Sequence, residues 1–222
     1  MSKTIKYYLG AYNLIAFLFW AAFGVSFLLS LTTNGYWWLD RNTLLLLNIA
    51  QGMAILEVIH ALLKWVKSPV GSTTAQVASR LLVLAIIDLH HTVMGYPGLG
   101  RDVFVFGFML ITFAWTVTEL IRYSFYFFTL FDKQPSILLW MRYSFYIVLY
   151  PLGVTGEWAI LVTPVVITGF VLNAYNVFLI PVAISYIYYF PVLYKYMWKQ
   201  RKARLNWSFY FLFCIKCRII SV

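Results

Sequence analysis

Charge is scarce in this sequence, and acidic charge is scarcest. Only 11% of the 222 residues are Asp, Glu, Lys or Arg, and seven of these are acidic. A soluble domain carries about a quarter charged residues, enough to coat a water-facing surface. With 63% hydrophobic residues the chain cannot cover itself that way, so lipid must solvate much of it. Cysteine is almost absent as well. Cys214 and Cys217 are the only two, which excludes a disulfide framework. Their C-x-x-C spacing lies outside any βαβ context and has no further metal ligands beside it, so no metal site is expected.

Seventeen basic residues against seven acidic ones leave a net charge of +10. Nucleic acid would attract such a chain, but the basic residues cluster between apolar runs. They do not form one stripe on a soluble scaffold, and their placement reads as membrane topology. No nucleic-acid partner is expected; the partner is the bilayer. A span needs about 20 apolar residues. The runs at 8–31, 43–66, 79–96, 103–130, 137–153 and 174–198 qualify, which predicts an all-α, polytopic transmembrane bundle of about six spans. Lys3 and Lys6 precede the first run as in a signal peptide, but Tyr8–Leu31 is too long for an h-region and is expected to stay as a span.

Breaks fall at Thr32-Thr33-Asn34-Gly35, Ser68-Pro69-Val70-Gly71, Gly95-Tyr96-Pro97-Gly98 and Asp132-Lys133-Gln134-Pro135. The Gly-x-x-Gly-x-Gly segment from Gly95 to Gly100 reads as an interhelical turn, not a phosphate loop. Thr73 with Gln76 fits a capping box opening the third helix. The apolar stretch 158–172, interrupted by Pro164 and Gly169, fits a seventh span, a re-entrant piece or part of a long fifth helix. Six spans place Lys3 and Lys6, then Lys64, Lys67 and Arg80, then Lys133, then Lys195 to Arg204 on one side, which is then the cytosolic side of both termini. The domain expected in the membrane is 1–204. The apolar tail 205–222 is too short to cross, and lying in the interface is one reading of it.

Charged groups inside spans cost several kcal/mol by most scales, so they usually face the bundle interior and mark function. Glu57, His60 and Lys64 share one face of the second span, where carboxylate, imidazole and ammonium can meet. An internal ion pair is the structural alternative to a direct role, and Lys64 near the span's end can simply snorkel. Glu119 and Arg122 lie near the end of the fourth span. The string Arg-Tyr-Ser-Phe-Tyr beginning at Arg122 recurs at Arg142, so either arginine can pair with Glu119 or receive an anionic group. Tyr150 and Glu157 flank Pro151, Gly153 and Gly156. On an unbroken helix they share a face about 10 Å apart along the axis, and a kink at the proline would bring them closer. Considered alone, a Tyr and a Glu bordering a break are more often interfacial anchors than catalysts.

Taken together, these residues resemble the membrane 3-hydroxyacyl-CoA dehydratases, once described as protein tyrosine phosphatase-like proteins. The resemblance covers roughly 8–204: Tyr8-Leu9-Gly10-Ala11-Tyr12-Asn13 with Trp20, Leu56-Glu57-Val58-Ile59-His60, Ser68-Pro69 with Gln76, Ser79 and Arg80. It continues through Trp115-Thr116-Val117-Thr118-Glu119-Leu120-Ile121-Arg122-Tyr123, Leu139-Trp140-Met141-Arg142-Tyr143 and Leu149-Tyr150-Pro151-Leu152-Gly153 with Glu157. It implies an endoplasmic reticulum enzyme, a carbon–oxygen lyase. Such an enzyme converts (3R)-3-hydroxyacyl-CoA to trans-2-enoyl-CoA in the third step of very-long-chain fatty acid elongation, beside other elongase components. In the family the catalytic pair is the tyrosine and glutamate matched here by Tyr150 and Glu157. Glu57, His60, Glu119, Arg122 and Arg142 would form a supporting polar network, and Lys67 and Arg80 are placed to meet CoA phosphates arriving from the cytosol. No metal, nucleotide or flavin cofactor is called for. Lys64 departs from the family's usual glycine, no aromatic follows Ser79-Arg80 within Leu81–Ile87, and the apolar tail replaces a polar basic ending.

A phosphatase fails on chemistry, since no cysteine precedes an arginine at phosphate-loop spacing. A non-catalytic scaffold binding elongase or phosphotyrosine partners is the main alternative, and an intact Tyr150 and Glu157 argue against it. A transporter would show broken half-helices in two symmetric halves, and the sequence has no such pairing.

Overall fold

The computed structural model describes residues 2–34, 40–91, 98–169, 171 and 173–220, with backbone alone at 34 and 206–220. The turn residues Gly35 and Gly95-Tyr96-Pro97 lie outside the described residues, as do the side chains of Cys214 and Cys217. The helices are α1 (Lys3–Asn34), α2 (Arg41–Gly52), α3 (Ala54–Leu62), α4 (Val70–His90), α5 (Leu99–Leu130), α6 (Ser136–Ser144), α7 (Tyr146–Ile167) and α8 (Ala174–Ile220), with no strand among the described residues. Six helical stretches are long and apolar enough to cross a membrane, with α2 and α3 together making the second.

The third span starts at Val70, well before the expected Ser79. Ser79 and Arg80 read as a polar flank in sequence, but Arg80 is neutralised inside the bundle by Glu119. Pro69, extended at ψ 124°, is the N-cap without a side-chain bond. The Thr73 hydroxyl donates back to the Pro69 carbonyl at 3.0 Å, so the capping box with Gln76 does not form. The fifth span is Tyr146–Ile167, not 137–153, and most of 158–172 belongs to it. The preceding α6 is a separate short helix ending at Phe145. Pro151 inside α7 cannot donate to the carbonyl four residues back; the Tyr194 hydroxyl donates to that Ile147 oxygen instead, at 3.3 Å. The tail continues α8 as helical backbone.

Helix α5 is the centre of the bundle: its most apolar stretch is 56% buried, against 22% in α1 and 11% in α8. Its apolar residues Phe104, Phe108, Ile111 and Trp115 belong to one buried core with Trp20 and Phe23 of α1, Ile86 and Ile87 of α4, and Ile160 and Leu161 of α7. In lipid, close backbone approach replaces the hydrophobic drive between helices, so small residues mark the tightest crossings. A Cβ on Gly156 would lie 2.8 Å from the Gly107 oxygen, and one on Gly107 would lie 2.9 Å from the Gly156 oxygen. This crossing of α5 and α7 sets Glu157 one residue beyond the contact, facing the Trp115 level of α5.

Helix α3 ends in a Schellman motif, Trp65 N–H donating to the His60 oxygen and Lys64 N–H to the Ala61 oxygen. Lys64 is therefore at φ 56°, the left-handed conformation that glycine adopts without a Cβ clash. The family's glycine at this position is what that backbone favours, and Lys64 points its charge into solvent or headgroups as an exposed residue.

Candidate active site

Four charged residues from three helical spans form one alternating chain in the bundle interior. The Arg122 guanidinium donates to both Glu57 oxygens, at 2.9 and 2.7 Å. Its Nη2 also lies 2.6 Å from Glu119 Oε2. Arg80 closes the chain by pairing with Glu119 Oε1. Two carboxylates and two guanidinium groups balance in charge, which is what burial requires. The Tyr123 hydroxyl adds a 2.7 Å bond to Glu57 Oε1.

The expected meeting of Glu57, His60 and Lys64 does not occur. Glu57 turns to α5, and His60 Nε2 instead sits 3.1 Å from the Tyr8 hydroxyl. The His60 ring lies between Tyr12, edge-on at 4.8 Å, and Trp65, stacked at 5.8 Å. Lys64 is placed outside by the left-handed turn. Of the two repeated arginines only Arg122 pairs with Glu119. Arg142 lies over the Phe125 and Tyr126 rings at 4.5 and 4.7 Å and donates to the Tyr126 hydroxyl at 3.2 Å. Lys67 is exposed. The Arg80 side chain, only 12% exposed, is committed to Glu119 and lies over the Trp115 ring at 5.3 Å.

Through Trp115 the charged chain reaches Glu157. Trp115 Nε1–H donates to Glu157 Oε1 at 2.9 Å, and the Tyr186 hydroxyl of α8 donates to Oε2 at 3.0 Å. Each carboxyl oxygen thus has one neutral donor. Of the three glutamates, Glu157 is the one with no ion pair among the described residues. Tyr150, two helical turns back on α7, stacks on Phe190 at 5.4 Å and on Tyr194 at 6.2 Å. No hydrogen bond joins Tyr150 to Glu157, and the Tyr150 hydroxyl has none to any described residue. The two groups share one helix face, about two turns apart.

Trp115, Tyr123 and Tyr186 were not singled out as site residues from sequence. The signal for Tyr186 was present: Tyr186, Phe190, Tyr194 and Trp198 recur every four residues and so form one aromatic stripe on α8. In an aromatic-rich chain such a stripe is ordinarily packing, and only the carboxyl facing it shows otherwise.

Comparison with known proteins identifies the family. Very-long-chain (3R)-3-hydroxyacyl-CoA dehydratase hpo-8 of Caenorhabditis elegans is 40% identical, over 91% of this chain and 96% of its own length. Very-long-chain (3R)-3-hydroxyacyl-CoA dehydratase 2 of Mus musculus is 34% identical over 90% of this chain and 81% of its own. The corresponding dehydratase PASTICCINO 2 of Arabidopsis thaliana is 33% identical over 94% and 97%. No solved structure matches. The model of the protein tyrosine phosphatase-like (PTPLA) family matches residues 51–207, most of the spans and every charged member of the site, and the chain belongs to that family.

Proposed function

We propose that the protein is a carbon–oxygen lyase that dehydrates (3R)-3-hydroxyacyl-CoA to trans-2-enoyl-CoA in very-long-chain fatty acid elongation, with Tyr150 and Glu157 carrying the proton transfers. The observation that carries this is the contrast among the glutamates. Glu57 and Glu119 are clamped by guanidinium groups and serve the bundle. Glu157 is oriented on both oxygens by neutral donors, which fix its position while leaving it able to gain and lose a proton.

The reaction removes a proton from C2, breaks the C3–O bond and protonates the departing hydroxyl, releasing water. The thioester carbonyl acidifies C2–H, and its oxygen accepts a hydrogen bond as negative charge develops there. One proton is taken and one is given, so two positioned groups suffice. Tyr150 and Glu157 share these roles across about 10 Å of helix axis. The acyl chain, insoluble in water, would lie among the apolar spans. The Lys and Arg distribution supports an orientation of 1–204 with both ends cytosolic, and the resemblance to the elongation dehydratases supports an endoplasmic reticulum membrane, where acyl-CoA and other elongase components are met.

Purified protein in detergent, given a 3-hydroxyacyl-CoA, is expected to form the enoyl-CoA. Glu157→Gln and Tyr150→Phe should each lower kcat by about 100-fold or more, the usual yield of general acid–base catalysis, with unchanged yield of folded protein. Full turnover in both variants would overturn the assignment.

A further inference from the structure

The seam between α7 and α8 does not end at the proposed catalytic pair. Following it toward the Lys- and Arg-rich end, Glu157 faces Tyr186, and Tyr150 faces Phe190 and Tyr194. Tyr146 next meets Tyr194 edge-on at 5.9 Å. Tyr194 continues to Trp198 at 6.5 Å, and the Arg201 guanidinium lies over the Trp198 ring at 5.7 Å.

At this outer end three polar atoms are buried without a hydrogen-bond partner: Ser144 Oγ, Tyr146 Oη and Arg201 Nε. Tyr146 as a residue is only 7% exposed. All three can donate. Leaving buried donors unmade is costly, so each of them calls for an acceptor. Neither α6 nor α8 contains an Asp or Glu, and none of the three atoms has a carboxylate partner among the described residues. Lys195, Lys199 and Lys202 are exposed on the same helix and add positive potential around the position. Arg201 lies fifteen residues beyond Tyr186, about 22 Å along the helix axis. A CoA thioester likewise holds its phosphates a long pantetheine arm away from the reacting carbons.

We propose that Ser144, Tyr146 and Arg201 form a subsite for a phosphate group of the CoA moiety, and that the aromatic stripe between them and Glu157 lines the pantetheine arm. This rests on the dehydratase reading, and it moves phosphate recognition from Arg80, which is occupied by Glu119, to the end of α8.

The test compares a 3-hydroxyacyl-CoA with the same acyl group on N-acetylcysteamine, which carries no phosphate. Arg201→Gln should raise KM for the CoA thioester about 10-fold or more, the loss of one charge-assisted contact, with kcat kept. The phosphate-free thioester should be turned over identically by wild type and variant. Tyr146→Phe should raise the CoA KM a few-fold, as befits a neutral donor. An unchanged CoA KM in Arg201→Gln overturns the subsite, and so does an equal loss on both substrates, which would mark a structural role. Binding of free CoA by calorimetry needs no turnover: about 10-fold weaker binding to Arg201→Gln supports the subsite and equal binding refutes it. If Glu157→Gln retains full turnover, the proton-transfer reading fails instead, and the KM and calorimetry comparisons still decide the subsite.

Discussion

The pentapeptide Arg-Tyr-Ser-Phe-Tyr occurs twice, and its two copies do different things. The first, 122–126, lies within the long central helix α5; the second, 142–146, straddles the joint between α6 and α7. Arg122 faces the interior and holds two carboxylates. Arg142 faces the first copy and rests on its Phe125 and Tyr126 rings. Tyr123 is 1% exposed and hydrogen-bonded to Glu57, whereas Tyr143 makes no hydrogen bond or ring contact with a described residue. Tyr126 accepts from Arg142, while Tyr146 keeps a buried hydroxyl unpartnered. Identical local chemistry therefore becomes a structural clamp in one place and an open donor in the other. The helix on which each copy sits decides which.

The largest expected difference lies between the two arginines. Arg122→Ala leaves Glu57 and Glu119 buried with too little positive charge, a loss of about 3–5 kcal/mol. Thermal unfolding of the purified protein in detergent should fall by of order 10 °C. Arg142→Ala removes two partly exposed cation–π contacts and one hydrogen bond and should cost only about 1–2 kcal/mol. Equal shifts in the two variants would break the comparison.

The tyrosines give a smaller contrast. Tyr123→Phe deletes a buried donor to a carboxylate and should cost about 1.5–3 kcal/mol; Tyr143→Phe should leave the unfolding temperature within error. A shift in Tyr143→Phe matching that of Tyr123→Phe would mean that the second copy is also clamped.

The smallest effect concerns the contact between the copies. Tyr126→Phe removes the hydroxyl partner of Arg142 and should destabilise by about 0.5–1.5 kcal/mol. In the double variant with Arg142→Ala that hydroxyl effect should largely vanish, because the two groups share one contact. Additive losses would show that Arg142 and Tyr126 act separately.

The spans were legible because bilayer thickness and the cost of charge in lipid write themselves into run length and composition. The charged residues inside them were legible as belonging to the interior for the same reason. Their partners were not. Helical spacing put Glu57, His60 and Lys64 on one face, yet contacts across helices outweighed contacts along one. Arg80 looked like a flank because a single sequence does not show the carboxylate of a helix 39 residues away. The Lys64 departure was visible only against a family, and its meaning appears only with the left-handed backbone at that turn.

By itself the sequence determined that this chain lives in a membrane as about six helices with a polar interior, and through its resemblance it singled out Tyr150 and Glu157. Those are properties of composition, period and motif. The tertiary structure decided which carboxyl groups are clamped by guanidinium groups and which is held by neutral donors. It also decided that Trp115 and Tyr186 hold Glu157, and that an aromatic seam runs from there to three unpartnered donors at Ser144, Tyr146 and Arg201. These depend on how helices cross, and the crossing is set by close approach at Gly107 and Gly156 and by charge balance between distant spans, which no local window of sequence contains.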